Sequence, residues 1–241
     1  MARLEDRVAL ITGASGGIGA AVARMMAAEG AHVAVHYGTV GGKAEKLAQE
    51  IRDLGRRAVT YRADVGNLSD VEAMVTGVVR DFGRIDILVS NAGTSSYKPF
   101  LENTPEEWDQ IVRTNLYGFF HCARSVLAHM VRQRWGRIIA TGSIAAEVAP
   151  MGEVLFTLSA GTKGGIMAMI KPLAAEFGRY GITVNAVSPG TTRSGMAERE
   201  APPDVVGAIL DAVKHIPLGR FATPEDIAHA MVFLASEEGS Y

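Results

Sequence analysis

The sequence predicts an α/β protein built on a doubly wound parallel sheet, and three observations carry that prediction. Short apolar runs alternate with helix-length amphipathic segments from one end of the chain to the other. The runs are rich in β-branched residues and apolar on both faces, as strands covered by helices on either side require. Connections are short, with no low-complexity stretch and no internal repeat, so residues 1–241 read as a single domain.

Strands are expected at 7–11, 32–36, 58–62, 85–90, 137–141 and 183–187. Helices are expected between and after them, at 17–28, 43–54, 68–82, 105–133, 159–180 and 224–234. The helix from Pro105 has the clearest start, with Thr104 as N-cap, Pro105 in the first position and Glu106 and Glu107 in the first turn. In the helix expected at 159–180, Gly161, Gly164 and Gly165 loosen the start. Pro172 should remove a backbone hydrogen bond there and kink it. The one long irregular stretch, 190–203, follows the sixth strand. Loops at carboxyl strand ends hold ligands in such sheets, so it is a candidate substrate lid.

Composition narrows the function classes. Hydrophobic residues are 48% and charged residues 21%, with Lys+Arg 24 against Asp+Glu 26 and a net charge of −2. That balance argues against a nucleic-acid protein, and the one basic cluster, Arg132, Arg134 and Arg137, reads as a solvated helix end. Cys122 is the single cysteine and the six histidines are scattered, so neither an internal disulfide nor a metal site is expected. No apolar run reaches the ~20 residues that span a bilayer. The start, with Glu5 and Asp6, lacks a signal-like apolar stretch, so a cytoplasmic location is expected.

The first strand runs into Thr12-Gly13-Ala14-Ser15-Gly16-Gly17-Ile18-Gly19 and then a helix. Glycines at 13, 17 and 19 permit a tight turn and close approach of a pyrophosphate, which the open N–H groups of the new helix would face. This spacing resembles the short-chain dehydrogenase/reductase family, whose fold is the Rossmann type, and further motifs agree along nearly the whole chain. Asp64-Val65 follows the third strand and Asn91-Ala92-Gly93 the fourth. Asn115 lies in Thr-Asn-Leu-Tyr-Gly, Ser143 in Ala-Thr-Gly-Ser-Ile, and Pro189-Gly190 in Asn-Ala-Val-Ser-Pro-Gly.

The resemblance implies a role for each of these positions. Gly13, Ser15, Gly17, Ile18, Gly19, Asp64, Val65, Asn91, Ala92, Gly93, Pro189, Gly190 and Thr192 would line a nicotinamide dinucleotide. Ser143 would polarise the substrate oxygen. Asn115 would serve structure and proton relay, and Lys163 would bind the nicotinamide ribose. NADP(H) is favoured over NAD(H), because Tyr37 stands where a carboxylate would bind the ribose hydroxyls and repel a 2′-phosphate. Thr39, the amides after Gly38 and Lys43 are available to receive that phosphate, although Gly16 and Gly38 occupy positions that are often basic. His36 could stack near adenine, but a strand-end histidine is more often surface. The resemblance also implies a homo-oligomer, dimer or tetramer, and a seventh strand beyond Tyr241.

One motif departs from the pattern. The family's catalytic Tyr-x-x-x-Lys reads Ser159-Ala160-Gly161-Thr162-Lys163, and no tyrosine lies between Tyr117 and Tyr180. Counting back from Lys163 gives Ser159, whereas counting forward from Ser143 by the family interval gives Phe156. The connection 145–155 is therefore expected to be lengthened. Ser159 is left with two readings, a helix cap or a direct catalytic role through water. The activity implied is hydride transfer between the nicotinamide and a small carbonyl or alcohol, closest to 3-oxoacyl-(acyl carrier protein) reductase-like members, with an atypical proton donor. A catalytically impaired dinucleotide-binding subunit and a reassigned elimination or isomerisation are the alternatives.

Overall fold

The computed structural model describes residues 2–148, 156–196, 201 and 203–241. Part of the lengthened connection expected at 145–155, namely 149–155, and residues 197–200 and 202 of the expected lid lie outside the described residues.

Six strands, β1 (Val8–Ile11), β2 (His32–Tyr37), β3 (Ala58–Arg62), β4 (Ile87–Ser90), β5 (Gly136–Thr141) and β6 (Ile182–Val187), form one sheet in the order β3-β2-β1-β4-β5-β6. Every pairing is parallel. β1, β4 and β5 are buried along their whole length, whereas the edge strands β3 and β6 are only partly so. The helices are α1 (Gly17–Ala28), α2 (Gly41–Asp53), α3 (Leu68–Phe82), α4 (Pro105–Val112), α5 (Gly118–Gln133), α6 (Thr157–Phe177), α7 (Pro203–Asp211) and α8 (Pro224–Ala235).

Alternation along the strands sorts the core into two layers. Ile11, Val33, Val89 and Ile139 face α1, α2 and α8 through Met26, Ile51 and Met231. Leu10, Ala34, Leu88 and Ile138 face α3, α5 and α6 through Val75, Phe119, Met130 and Ile166. The strand order reverses between β1 and β4, so the crevice above their carboxyl ends is where this architecture receives a ligand.

The fold expected from the sequence stands, with four corrections. The helix expected at 105–133 is divided by a π turn, Arg113–Tyr117, which holds the buried Asn115. Its start is as expected: Thr104 Oγ1 accepts from the Glu107 amide at 3.2 Å and the Glu107 carboxylate accepts from the Thr104 amide at 3.0 Å. α6 begins at Thr157 and continues through Pro172. Four residues earlier, the Ala168 carbonyl loses its helix partner, but Ala168 is exposed and water can satisfy it. Arg137 is not at a solvated helix end. It lies buried in β5, donating to the Gly136 carbonyl at 3.0 Å with its guanidinium over Trp135. Lastly, α7 forms where no element was expected; Pro203 in its first position was the available signal.

Candidate active site

The crevice starts at the turn between β1 and α1. Gly13 (φ +64°) and Gly17 (φ +54°) adopt the left-handed conformation that favours glycine. A Cβ at Gly13 would lie 2.9 Å from the Ala92 Cα, and one at Gly19 would lie 2.4 Å from the Gly13 carbonyl oxygen. α1 begins after Gly16 with no side-chain cap and no acidic residue in its first turn, so its first N–H groups remain available to an anion.

Around this turn β4 is stitched to β1. Asn91 donates its amide N–H to Thr12 Oγ1 at 2.9 Å and its side-chain nitrogen to the Thr12 carbonyl at 3.1 Å. Ala92 also donates to Thr12 Oγ1, at 3.0 Å, and Thr141 Oγ1 donates to Asn91 Oδ1 at 3.2 Å. His36, foreseen as surface or adenine-stacking, is instead only 2% exposed. Its Nδ1 accepts the Gly13 amide at 3.0 Å, which makes Nε2 the protonated nitrogen, donating to the Ala63 carbonyl at 3.0 Å. Burial holds its pKa below the ordinary histidine value, keeping the ring neutral.

Beyond the turn a cavity of about 450 Å³ opens between α1 and α2, lined by Ser15, Gly17, Arg24, Lys43, Lys46 and Arg193 among others. Arg24 is paired with Glu50 at 2.8 Å. Tyr37 folds its ring over the start of α2, 3.2 Å from where a Gly41 Cβ would be, and leaves Thr39 exposed beside that uncapped helix end. Asp64 is also exposed, its carboxylate accepting the Gly66 amide at 2.9 Å, while Val65 is buried. From the opposite side, the segment after Pro189-Gly190 is fastened by a Thr192–Ala222 bridge and an Arg193 amide to Ala222 carbonyl bond of 2.9 Å. This brings the Ser194 carbonyl oxygen within 2.8 Å of a Cβ built at Gly17.

Ser143, Lys163 and Asn115 lie toward the β5 side. Ser143 follows β5 in extended backbone, and its Oγ accepts from the Ala145 amide at 3.2 Å, which leaves its hydroxyl hydrogen to donate. Lys163, 9% exposed, donates to the Thr141 carbonyl at 2.6 Å. Its Nζ is 3.5 Å from the position of a Gly93 Cβ. Burial lowers its pKa to about 8. Asn115 makes three side-chain hydrogen bonds: Oδ1 accepts from Thr94 N at 2.9 Å, and Nδ2 donates to the Thr94 carbonyl at 3.0 Å and to Thr162 Oγ1 at 2.9 Å.

Ser159 lies in the first turn of α6, four residues before Lys163 and on its face. It is not the helix cap, a position taken by Phe156, which makes no side-chain cap bond. Close contacts thus join Gly13, Asn91 and Ala92 at the β1 turn, and Gly93, Asn115 and Lys163 toward β5. The sequence did not flag Thr94, Thr162 or Arg193, and it misassigned His36, because each is held by a partner distant in the chain. Among the described residues no helix is long and apolar enough to cross a membrane.

The cradle that glycine leaves at 13, 17 and 19, open at an uncapped helix end, fits a dinucleotide pyrophosphate. Comparisons with known proteins agree with that geometry. A family model described as enoyl-(acyl carrier protein) reductase matches residues 13–241. The 3-oxoacyl-[acyl-carrier-protein] reductase FabG of Staphylococcus aureus is 38% identical over 238 residues, covering 97% of this chain and 92% of the relative. Oxidoreductase UcpA of Salmonella typhimurium is 38% identical over 246 residues, covering 100% and 92%. A short-chain type dehydrogenase/reductase of Mycobacterium marinum superposes with a TM-score of 0.92 at 33% identity, covering 99% of this chain and 91% of its own. A short-chain dehydrogenase from Burkholderia cenocepacia, solved in complex with NADP, gives 0.89 at 33% identity, covering 99% and 94%. Sheet order, glycine turn and these relatives together place the chain in the short-chain dehydrogenase/reductase family of oxidoreductases.

Proposed function

We propose that this oxidoreductase uses NADP(H) in preference to NAD(H) to interconvert a small carbonyl compound and its alcohol, with a proton donor other than the usual tyrosine. The observation that carries the reading is the buried Lys163 ammonium donating to the carbonyl of Thr141, two residues before Ser143, while the Thr141 hydroxyl donates to Asn91, which holds the uncapped glycine turn. When bound, the nicotinamide would supply or accept the hydride. Gly13, Ser15, Gly17, Ile18 and Gly19 would hold the pyrophosphate. Asn91, Ala92, Gly93, Pro189, Gly190 and Thr192 would border the nicotinamide, and Asp64 and Val65 the adenine. Lys163 would bond the ribose and keep positive charge beside the reacting oxygen, and the free hydrogen of Ser143 would polarise that oxygen. Asn115 keeps the β4 loop and α6 in register.

The preference for NADP(H) is supported by Tyr37 and by the cations Lys43, Lys46 and Arg193 around the cavity, with no carboxylate at the end of β2. Tyr37→Asp should move the preference toward NADH. A homo-oligomer is supported by Trp108, Tyr117 and Phe120, which lie 39%, 53% and 49% exposed along α4, the π turn and α5. Sedimentation should show more than one chain per particle.

Binding is tested by NADPH fluorescence and by the rise in melting temperature, and no response to either dinucleotide would overturn the proposal. Turnover is tested on a panel of carbonyl compounds. Wild-type activity lost in Ser143→Ala and Lys163→Ala supports catalysis. Activity found only after Ser159→Tyr would make the natural chain a dinucleotide-binding subunit, the reading that the serine at 159 favours.

A further inference from the structure

We propose that the 2′-phosphate of the dinucleotide is read from α2 and from the segment after β6, by Lys43, Lys46 and Arg193, and not from the turns at Gly16 and Gly38. This assignment rests on the NADP(H) reading above and deepens it by naming the side chains that set the preference.

The site is the cavity between α1 and α2. Ser15, Gly16 and Gly17 form part of its wall, so it opens off the same turn that fits the pyrophosphate. The adenosine ribose is joined to that pyrophosphate, and a group on its 2′ oxygen lies one sugar ring away. A volume of about 450 Å³ leaves room for a phosphate there.

Charge around the cavity is unbalanced toward cations. Arg24 and Glu50, both in the wall, neutralise one another at 2.8 Å. Glu45 on α2 is taken by Arg52. Among the described residues no carboxylate pairs with Lys43, Lys46 or Arg193, which leaves Glu225 as their countercharge in the wall. Lys43 and Lys46 stand three residues apart, on one face of α2. Three exposed cations around one hollow repel each other, and a dianion between them relieves that repulsion.

Arg193 is held on the opposite wall. Its amide donates to the Ala222 carbonyl at 2.9 Å, and its guanidinium lies over the buried Phe221 ring, 5.5 Å from the centroid. The next residue, Ser194, brings its carbonyl oxygen within 2.8 Å of a Cβ built at Gly17. A phosphate between Arg193 and the two lysines therefore ties α2 to the segment after β6. Gly16 and Gly38 bring no charge of their own, and a Cβ built at either meets nothing within 4 Å. Gly16 has extended backbone (φ −177°, ψ 174°), which any residue can adopt.

Lys43→Gln, Lys46→Gln and Arg193→Gln remove charge at exposed positions, so folding should be spared. Calorimetry with adenosine 2′,5′-bisphosphate and adenosine 5′-monophosphate isolates the phosphate without any turnover. The wild type should prefer the bisphosphate. Each single substitution should weaken bisphosphate binding about 3–10-fold, and the triple variant should bind both nucleotides alike. The wild-type preference should also fall as salt rises, because the cations are exposed. Gly16→Arg added to the triple variant should restore the preference, which a merely structural effect of the three substitutions would not allow. A triple variant that still prefers the bisphosphate would overturn the inference and leave the NADP(H) reading standing. Binding of inorganic phosphate with no gain for the bisphosphate over the monophosphate would also overturn it, and would make the cavity a site for free anions. A wild type that binds NADH as tightly as NADPH would sink both this inference and the cofactor preference beneath it.

Discussion

On the β1 side of the crevice, function depends on what side chains do not occupy. Gly13, Gly17 and Gly19 leave room for a phosphate, and Asn91, Thr12 and His36 satisfy the surrounding backbone so that the room stays open. On the β5–α6 side, the proposed chemistry would depend on particular hydroxyls and one ammonium, and Ser159 stands four residues before Lys163. A cradle of backbone tolerates almost no substitution because fixed atoms cannot move aside. A proton can be delivered by any acid that reaches the same point, so that side can be rebuilt from a different loop.

Breaking the cradle should have the largest effect. In Gly19→Val the new side chain would begin 2.4 Å from the Gly13 carbonyl oxygen and 2.7 Å from Asn91 Nδ2. Calorimetry should find no dinucleotide binding, and urea unfolding should show a loss of about 1–3 kcal/mol. Normal binding would show that the turn is not the rigid half of the site.

Lys163→Met sharpens the contrast from the other side. Turnover should drop about 10²–10⁴-fold. Stability should hold or rise, since a buried charge is removed. The sign with pH follows from a folded pKa of about 8 against an ordinary value of 10.5. The unfolded chain binds the proton more tightly, so the penalty of burying the ammonium is complete below pH 8 and disappears as pH rises toward 10.5. The stability advantage of Lys163→Met should shrink over that window, as denaturant midpoints would report.

Asn115→Ala tests the joint between the halves. It deletes three hydrogen bonds at a buried site and should cost about 1–3 kcal/mol, with hydrogen exchange quickened at Thr94. The smallest effect belongs to His36. Its folded pKa is depressed by burial, so its contribution is present above the ordinary value of about 6.5 and is lost as pH falls through the folded pKa. His36→Leu should cost about 1 kcal/mol at neutral pH and flatten the acid limb of a melting-temperature profile.

Legibility followed the range of the interactions. Parallel strands buried on both faces announce themselves as β-branched runs, and the glycine turn is local, so sheet and cradle could be read residue by residue. The Thr104 cap was equally plain. The π turn could not be read, because the signal for it is a buried Asn115 held by Thr94 and Thr162, 21 and 47 residues away. His36 was misjudged for the same reason: its partners Gly13 and Ala63 lie on other strand ends.

The sequence by itself determined the fold class, the place of the glycine cradle and the absence of a phenol four residues before Lys163. Periodicity and spacing suffice for these, since each depends on neighbours along the chain. Tertiary structure alone decided that His36 supports the turn, that Phe156 rather than Ser159 takes the N-cap position of α6, and that Tyr97 lies against that helix start. Those outcomes depend on which strand ends the doubly wound sheet brings together, and the adjacency of β1, β4 and β5 exists only once the sheet has formed.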